Sequence, residues 1–251
     1  MWLKMEKKIL ALILIIVLAV PLTAAAQNSN QPADSNVKSK TEAKIVARVN
    51  GEKITNQQLA QKTNLNQLLM GINRISPQFV QTLTNTESGQ KVLAKYKEQQ
   101  LESLINNLLL QQQVEQKGIS LTQKEKNEIY QKQKKAILER NNLNQEKFLS
   151  ILKKQGFKTE KEYKQKFVKN PQLKINKLVE KEVVSNLEVS EAEIKQTYQE
   201  NKEQFTKNGK TQPLEKVKPQ IKEMLKQQKR NKKISQYVEN LREKAEIEKN
   251  I

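Results

Sequence analysis

The sequence predicts a mainly α-helical protein with a long C-terminal helix and one minor, short β pairing between its N- and C-terminal segments. Three observations lead there. Gln, Asn, Lys, Glu and Leu dominate the 251 residues, aromatics are 4%, and Gly and Pro number six each; such a palette suits solvated helices and few long strands. Apolar residues recur at helical spacing, most clearly Leu101, Leu104, Ile105, Leu108 and Leu109 at i, i+3, i+4, i+7 and i+8. Capping-box pairs, Thr55 with Gln58, Thr122 with Glu125 and Ser190 with Glu193, open three of the helical stretches.

The elements follow in order. Residues 1–26 have the three parts of a secretory signal: basic Lys4, Lys7 and Lys8, an apolar run from Ile9 to Val20, then Pro21 and the small residues Ala24 to Ala26. Ala24 and Ala26 occupy the positions a signal peptidase reads, which places cleavage after Ala26. The apolar run is shorter than the roughly 17–25 residues of a spanning helix. Leu22 to Ala26 could extend it into an uncleaved membrane anchor, which stays open as the alternative. Met5 serves equally as a start, since the basic region survives that trimming. Without a Cys after the apolar run, lipid attachment there is excluded. The expected location is extracytoplasmic, either secreted or associated with the cell envelope. Residues 27–44 are Asn-, Ser-, Gln- and Lys-rich with almost no large apolar residue, so they read as a disordered polar tether.

Residues 45–251 form the helical body. Ile45, Val46 and Val49 make a short strand, Asn50-Gly51 a tight turn, and Thr55 the cap of a first helix. Residues 64–83 are apolar without period, interrupted by Gly71 and Pro77, and read as short helical pieces; "TNTESGQ", Thr84 to Gln90, then reads as a loop. Gln90 to Gln116 is the strongest helix, ended by Lys117-Gly118. Thr122 opens another that runs to about Arg140. A short helix closes at Gly156, the next starts at Thr159 and is broken near Pro171, and Ser190 opens the one after. Leu214, Val217, Ile221, Met224 and Leu225 begin the long C-terminal helix, and Ile234, Tyr237, Val238 and Leu241 give it a second stripe. Pro219 fits only in the first turn or at a kink. Strands need partners, so the economical arrangement pairs Ile45–Val49 with Glu246 to Lys249.

Composition narrows the chemistry. No Cys means no disulfide, thiolate nucleophile or Cys-ligated zinc, and no His excludes Ser-His-Asp and Cys-His catalysis and His-ligated metals. Paired carboxylates or a Lys nucleophile stay open, but such residues are too frequent for any pair to stand out. No nucleophile elbow or phosphate loop is present. Catalytic residues, metal and cofactor are therefore all assigned as none. Lys and Arg number 46 against 27 Asp and Glu, a net charge of +19. In an exported protein this suits anionic membrane headgroups or wall polymers and argues against nucleic acid.

The ordered set of an export signal, a polar tether, "VARVNGEKIT" leading into "NQQLAQ", "VSEAEIKQTYQENKEQF" and "LEKVKPQIKEMLKQQK" resembles the SurA/PrsA family of exported chaperones, from about Lys44 onward. The resemblance implies a helical chaperone module built from both ends of the chain. Relatives usually carry a parvulin-type peptidyl-prolyl isomerase domain before the last long helix. Here only residues 206–213 lie at that point, against the roughly 50 residues a domain needs, and the histidines usual in that active site are absent. What is implied is an ATP-independent holdase for unfolded or newly translocated proteins, not an enzyme. The alternative is an envelope assembly protein with one dedicated partner. Oligomeric state is open. Leu65, Leu68, Leu69, Ile72, Ile75 and Phe79 are the candidate client-binding residues, being dense and aperiodic; the competing reading packs them as core on the Leu101 to Leu109 stripe. Lys226, Lys229, Arg230, Lys232 and Lys233 are the candidate contacts to an anionic surface, or else a solvated helix face.

Overall fold

The computed structural model describes residues 44–250 except Asn208; the expected signal segment and the tether up to residue 43 lie outside the described residues. The described chain falls into two compact units, residues 44–131 with 167–250, and residues 132–166.

The first unit begins with β1 (Ile45–Val49) and β2 (Glu52–Thr55). Asn50 and Gly51 join them at φ 51° and 82°, the left-handed pair that a two-residue hairpin turn demands. The register sets Val49 opposite Glu52, Arg48 opposite Lys53 and Ala47 opposite Ile54, with an irregularity between Ile45 and Ala47. β5 (Ile247–Lys249) pairs antiparallel on the other edge of β1, Val49 facing Ile247 and Ala47 facing Lys249. The sheet order is β2-β1-β5, as the need for a strand partner predicts. Asn50 fastens the two ends together. Its backbone amide donates to Glu246 O at 2.8 Å, its Oδ1 accepts from the Glu246 amide at 2.9 Å, and its Nδ2 donates to Gln112 Oε1 at 2.8 Å.

Thr55 caps α1 (Asn56–Thr63) with the expected box: the Gln58 amide donates to Thr55 Oγ1 at 3.2 Å and the Thr55 amide to Gln58 Oε1 at 2.7 Å. α2 (Leu65–Asn73) and α3 (Pro77–Asn85) follow. α4 (Glu87–Gln116) is the long helix, and Gly118 at φ 59° ends it in the left-handed region. Leu101, Ile105 and Leu109 of α4 pack under the sheet with Val46, Val49, Ile54 and Leu59, closed by Leu241 and Ile247. The apolar stripe of α4 is therefore the floor of the three-stranded sheet. Farther along, Leu110 and Val114 pack with Ile175 and Leu178 of α8 (Gln172–Leu178), with Val179 and with Val238. α8 widens into a π turn over Val179–Val183. α5 (Gln123–Arg140) begins in this unit with Thr122 and Glu125 exchanging backbone bonds.

α9 (Glu191–Glu200) is opened by the Ser190/Glu193 box. A 3-10 turn (Lys202–Phe205), the two-residue strands β3 (Thr206–Lys207) and β4 (Lys210–Thr211), and α10 (Leu214–Glu243) complete the unit. Ile194, Phe205, Val217 and Ile221 form its third apolar cluster. In the small hairpin Thr206 Oγ1 lies 2.9 Å from Thr211 Oγ1, and Tyr198 Oη donates to Gln212 O at 2.7 Å.

In the second unit, the end of α5 is followed by α6 (Gln145–Lys154) and α7 (Glu160–Phe167, of which residues through 166 belong here). Asn144 caps α6, and Gly156 at φ 87° lets the chain leave it. Phe148, Leu152, Phe157 and Tyr163 are buried. Tyr163 meets the Phe148 and Phe157 rings edge to face, at centroid distances of 6.1 and 5.2 Å.

One local expectation is corrected. Thr84 to Gln90 is not a loop: α3 runs to Asn85 and α4 starts at Glu87, with Thr86 alone between them. Pro219 lies past the first turn of α10. The helix continues through it without the hydrogen bond that a residue with an N–H would supply there.

Candidate functional site

α2, α3 and the first turns of α4 are held by a few specific bonds. Asn64, at φ 45°, ends α1 and lets α2 start in the next residue. Ser76 Oγ accepts from the Phe79 amide at 3.3 Å, and Pro77 takes the first helical position, where its missing N–H costs nothing. Thr86 Oγ1 accepts from the Gly89 amide at 3.0 Å and donates to Thr82 O at 2.6 Å. Gly89 is buried, and α3 approaches it so closely that a Cβ there would lie 2.2 Å from Thr82 O. Tyr96 Oη donates to Thr63 O at 2.9 Å, tying the end of α1 to α4.

On this frame sit all the exposed large apolar side chains among the described residues: Leu68 (40% exposed), Met70 (64%), Ile75 (88%), Phe79 (52%) and Val92 (57%). Of the six candidates from sequence, Leu68, Ile75 and Phe79 are exposed, and Leu65, Leu69 and Ile72 are half-buried. None joins the apolar cluster around Leu101, Ile105 and Leu109, which is filled by the sheet and α1 instead. Met70 and Val92 extend the face and carry no periodic signal of their own.

The basic candidates divide. Lys226, Lys232 and Lys233 are exposed. Lys229 donates to Glu193 Oε1 at 2.6 Å and to Glu188 O at 2.7 Å, and Arg230 pairs with Glu180. The Lys229 ammonium, followed by the Ser190 amide, holds the Glu193 carboxyl down at about 2. Lys229 and Arg230 thus tie α10 to α9 and to the π turn, and leave three lysines for an outside partner. Among the described residues no group of three or more Asp and Glu is placed to hold a metal ion, and no helix is long and apolar enough to cross a membrane.

The family model for the SurA-like N-terminal domain matches residues 2–179. The chain belongs to the SurA-like N-terminal domain family. The SurA-like chain is 29% identical to a foldase protein PrsA of Clostridium botulinum (strain Langeland) over 83% of its own length and 58% of that protein. It is 31% identical to a foldase protein PrsA of Clostridium kluyveri over 64% of its length and 47% of that protein. It therefore spans less than two thirds of the length of these relatives. It shares its fold with a solved structure from work on the virulence factor PEB4 and the periplasmic protein Cj1289 of Campylobacter jejuni, two structurally related SurA-like chaperones. That likeness has a TM-score of 0.52 at 17% identity and covers 82% of the SurA-like chain and 98% of the other.

Proposed function

We propose that the protein is an ATP-independent holdase that binds unfolded or newly translocated polypeptides outside the cytoplasm and does not isomerise prolyl bonds. The observation that carries this reading is the exposed apolar face of Leu68, Met70, Ile75, Phe79 and Val92. Large apolar side chains left exposed on neighbouring elements, rather than scattered singly over the surface, mark surfaces that bind other proteins. Each client side chain buried on it contributes about 1.5–3 kcal/mol before ordering costs, which suits many weak, reversible contacts. Its relatives' names, foldase and SurA-like chaperone, favour the same class. Export rests on the basic-apolar-small pattern of residues 1–26. Independence of ATP follows from that location and from the lack of a phosphate loop. The short β3–β4 hairpin at residues 206–211, held by its own threonine and tyrosine bonds, supports binding without isomerase chemistry. Exposed Lys226, Lys232 and Lys233 would hold the protein near anionic lipid or wall polymer.

The test pairs two assays on one preparation: suppression of aggregation of several unrelated thermally unfolded proteins, and isomerisation of a proline-containing peptide. Suppression without isomerisation is expected. A variant carrying Ile75→Ser and Phe79→Ser should retain its circular dichroism and lose most of the suppression. Suppression at the unmodified level by that variant would remove the face from the proposal. Binding to one envelope protein with no general suppression would favour a dedicated assembly role, and measurable isomerase activity would overturn the non-enzymatic reading.

A further inference from the structure

Two clefts in the first unit share Asn56, Leu59 and Lys97 and form one trough beside α1. The larger, of 520 Å³, has Val46, Leu59 and Ala94 as its apolar floor, with Lys44, Lys91, Lys95, Lys97 and the carboxylate Glu98 around them. The smaller, of 340 Å³, continues past Ala60 and Thr63 to Leu65. Leu65 is the first residue of α2, so the trough opens onto the exposed apolar face. Two of the rim lysines are already neutralised, Lys91 by Glu87 at 2.6 Å and Lys95 by Glu98 at 2.8 Å. Lys44 and Lys97 have no ion pair among the described residues. The trough thus presents an apolar floor beneath two positive charges that no carboxylate among the described residues matches.

Length and wall chemistry select the occupant. α1 has eight residues, about 12 Å at 1.5 Å per residue, which an extended peptide covers with about four residues. Side chains of such a segment alternate, one set toward the floor and the other toward the rim. Asn56 and Asn66 along the wall offer side-chain amides to a peptide backbone, which a lipid acyl chain would leave unused. We propose that the trough docks extended client segments in which Asp or Glu lies next to an apolar residue, with the carboxylate at Lys44 or Lys97 and the apolar side chain on Leu59 and Ala94. This rests on the client-binding reading and adds a chemical preference to it.

The test uses two dye-labelled peptides in fluorescence anisotropy at physiological salt, Ser-Leu-Asp-Val-Glu-Ser and its counterpart Ser-Leu-Lys-Val-Lys-Ser. The acidic peptide should bind and the basic one should not. Lys44→Glu with Lys97→Glu, both at the rim, should weaken the acidic peptide at least tenfold and gain binding of the basic one. Ala94→Trp should block both by filling the floor. A control with Lys153→Glu and Lys154→Glu, exposed on α6 and equal in charge change, should bind like the unmodified protein. Three results would overturn the proposal: equal binding of the two peptides, equal loss in the control, or an effect of the trough variant on phosphatidylglycerol vesicles alone. Ile75→Ser with Phe79→Ser leaves the trough intact, so lost aggregation suppression with retained peptide binding separates failure of the wider face from failure of the trough.

Discussion

Gly89 is where the apolar face depends on the absence of one methyl group. A Cβ built there meets Thr82 O at 2.2 Å, Leu83 Cα at 2.5 Å and Leu83 O at 2.6 Å. All three are backbone atoms of α3, so no rotamer change relieves them, and α3 must retreat by roughly 1 Å to restore ordinary contact distances. Overpacking of this kind costs about 1–3 kcal/mol, and Ala in place of Gly returns up to about 1 kcal/mol of helix propensity. With three backbone clashes, the upper end of the first range applies. Gly89→Ala should therefore destabilise by about 2 kcal/mol and lower Tm by about 4–8 °C for a chain of this size. Gly71, in α2, is the matched control: nothing lies within 4 Å of its Cβ position. Gly71→Ala should stabilise by about 0.5–1 kcal/mol. Thermal and urea unfolding of both variants, with hydrogen exchange across α3, measures the pair. Gly89→Ala at or above the unmodified stability, or Gly71→Ala as damaging as Gly89→Ala, would refute the close-approach argument.

Further outcomes follow from the charged contacts. Glu125 is held down at about 2, chiefly by the Lys177 ammonium and then by the Thr122 amide, and Glu193 at about 2 by Lys229 and Ser190. Their folded values lie below the ordinary 4.5, so their stabilisation is complete above about pH 4.5 and is lost as pH falls toward 2. Urea midpoints should drop between pH 5 and 3, and Glu125→Gln with Glu193→Gln should flatten that slope; an unchanged slope removes these carboxyls as its source. Burial pushes the Glu102 carboxyl up, but Lys249 and Arg242 outweigh it and leave it lowered. Glu102 receives Arg242 Nη2 at 2.7 Å and also pairs with Lys249. Glu102→Gln should cost about 1 kcal/mol and speed amide exchange in β5 more than in β2. Asn50→Ala removes both side-chain ties and puts at φ 51° a residue that tolerates the left-handed region less well than Asn; it should cost about 1–3 kcal/mol, and Asn50→Gly less, as unfolding midpoints would show.

Where local chemistry decides structure, the sequence was readable. β1, its turn and the boxes at Thr55, Thr122 and Ser190 depend on residues within a few positions of one another. Pairing β1 with β5 followed from the lack of any other strand partner. The Thr84 to Gln90 stretch misled because Gly, Ser, Asn and Thr disfavour helix locally. Here the small residue is required by the contact between α3 and α4, which no local pattern encodes. The π turn at Val179–Val183 has no sequence cue, since its residues would serve an ordinary helix as well. At the site, apolar density located α2 and α3, but density alone does not separate half-buried Leu69 from exposed Met70. The unmatched charge of Lys97 depends on which neighbours Glu87 and Glu98 choose, which is a matter of helix geometry.

The bond between Asn50 and Glu246 joins positions 196 residues apart. Closing so long a loop from an open chain costs about 5 kcal/mol of entropy, and contacts of such high order form slowly. A chain that folds as it is synthesised, N-terminus first, can make the β1–β2 hairpin early, but one flank of β1 stays unpaired until β5 has emerged. The third strand therefore acts as a completion latch, and a molecule interrupted before β5 is available displays an open strand edge of the kind that invites aggregation.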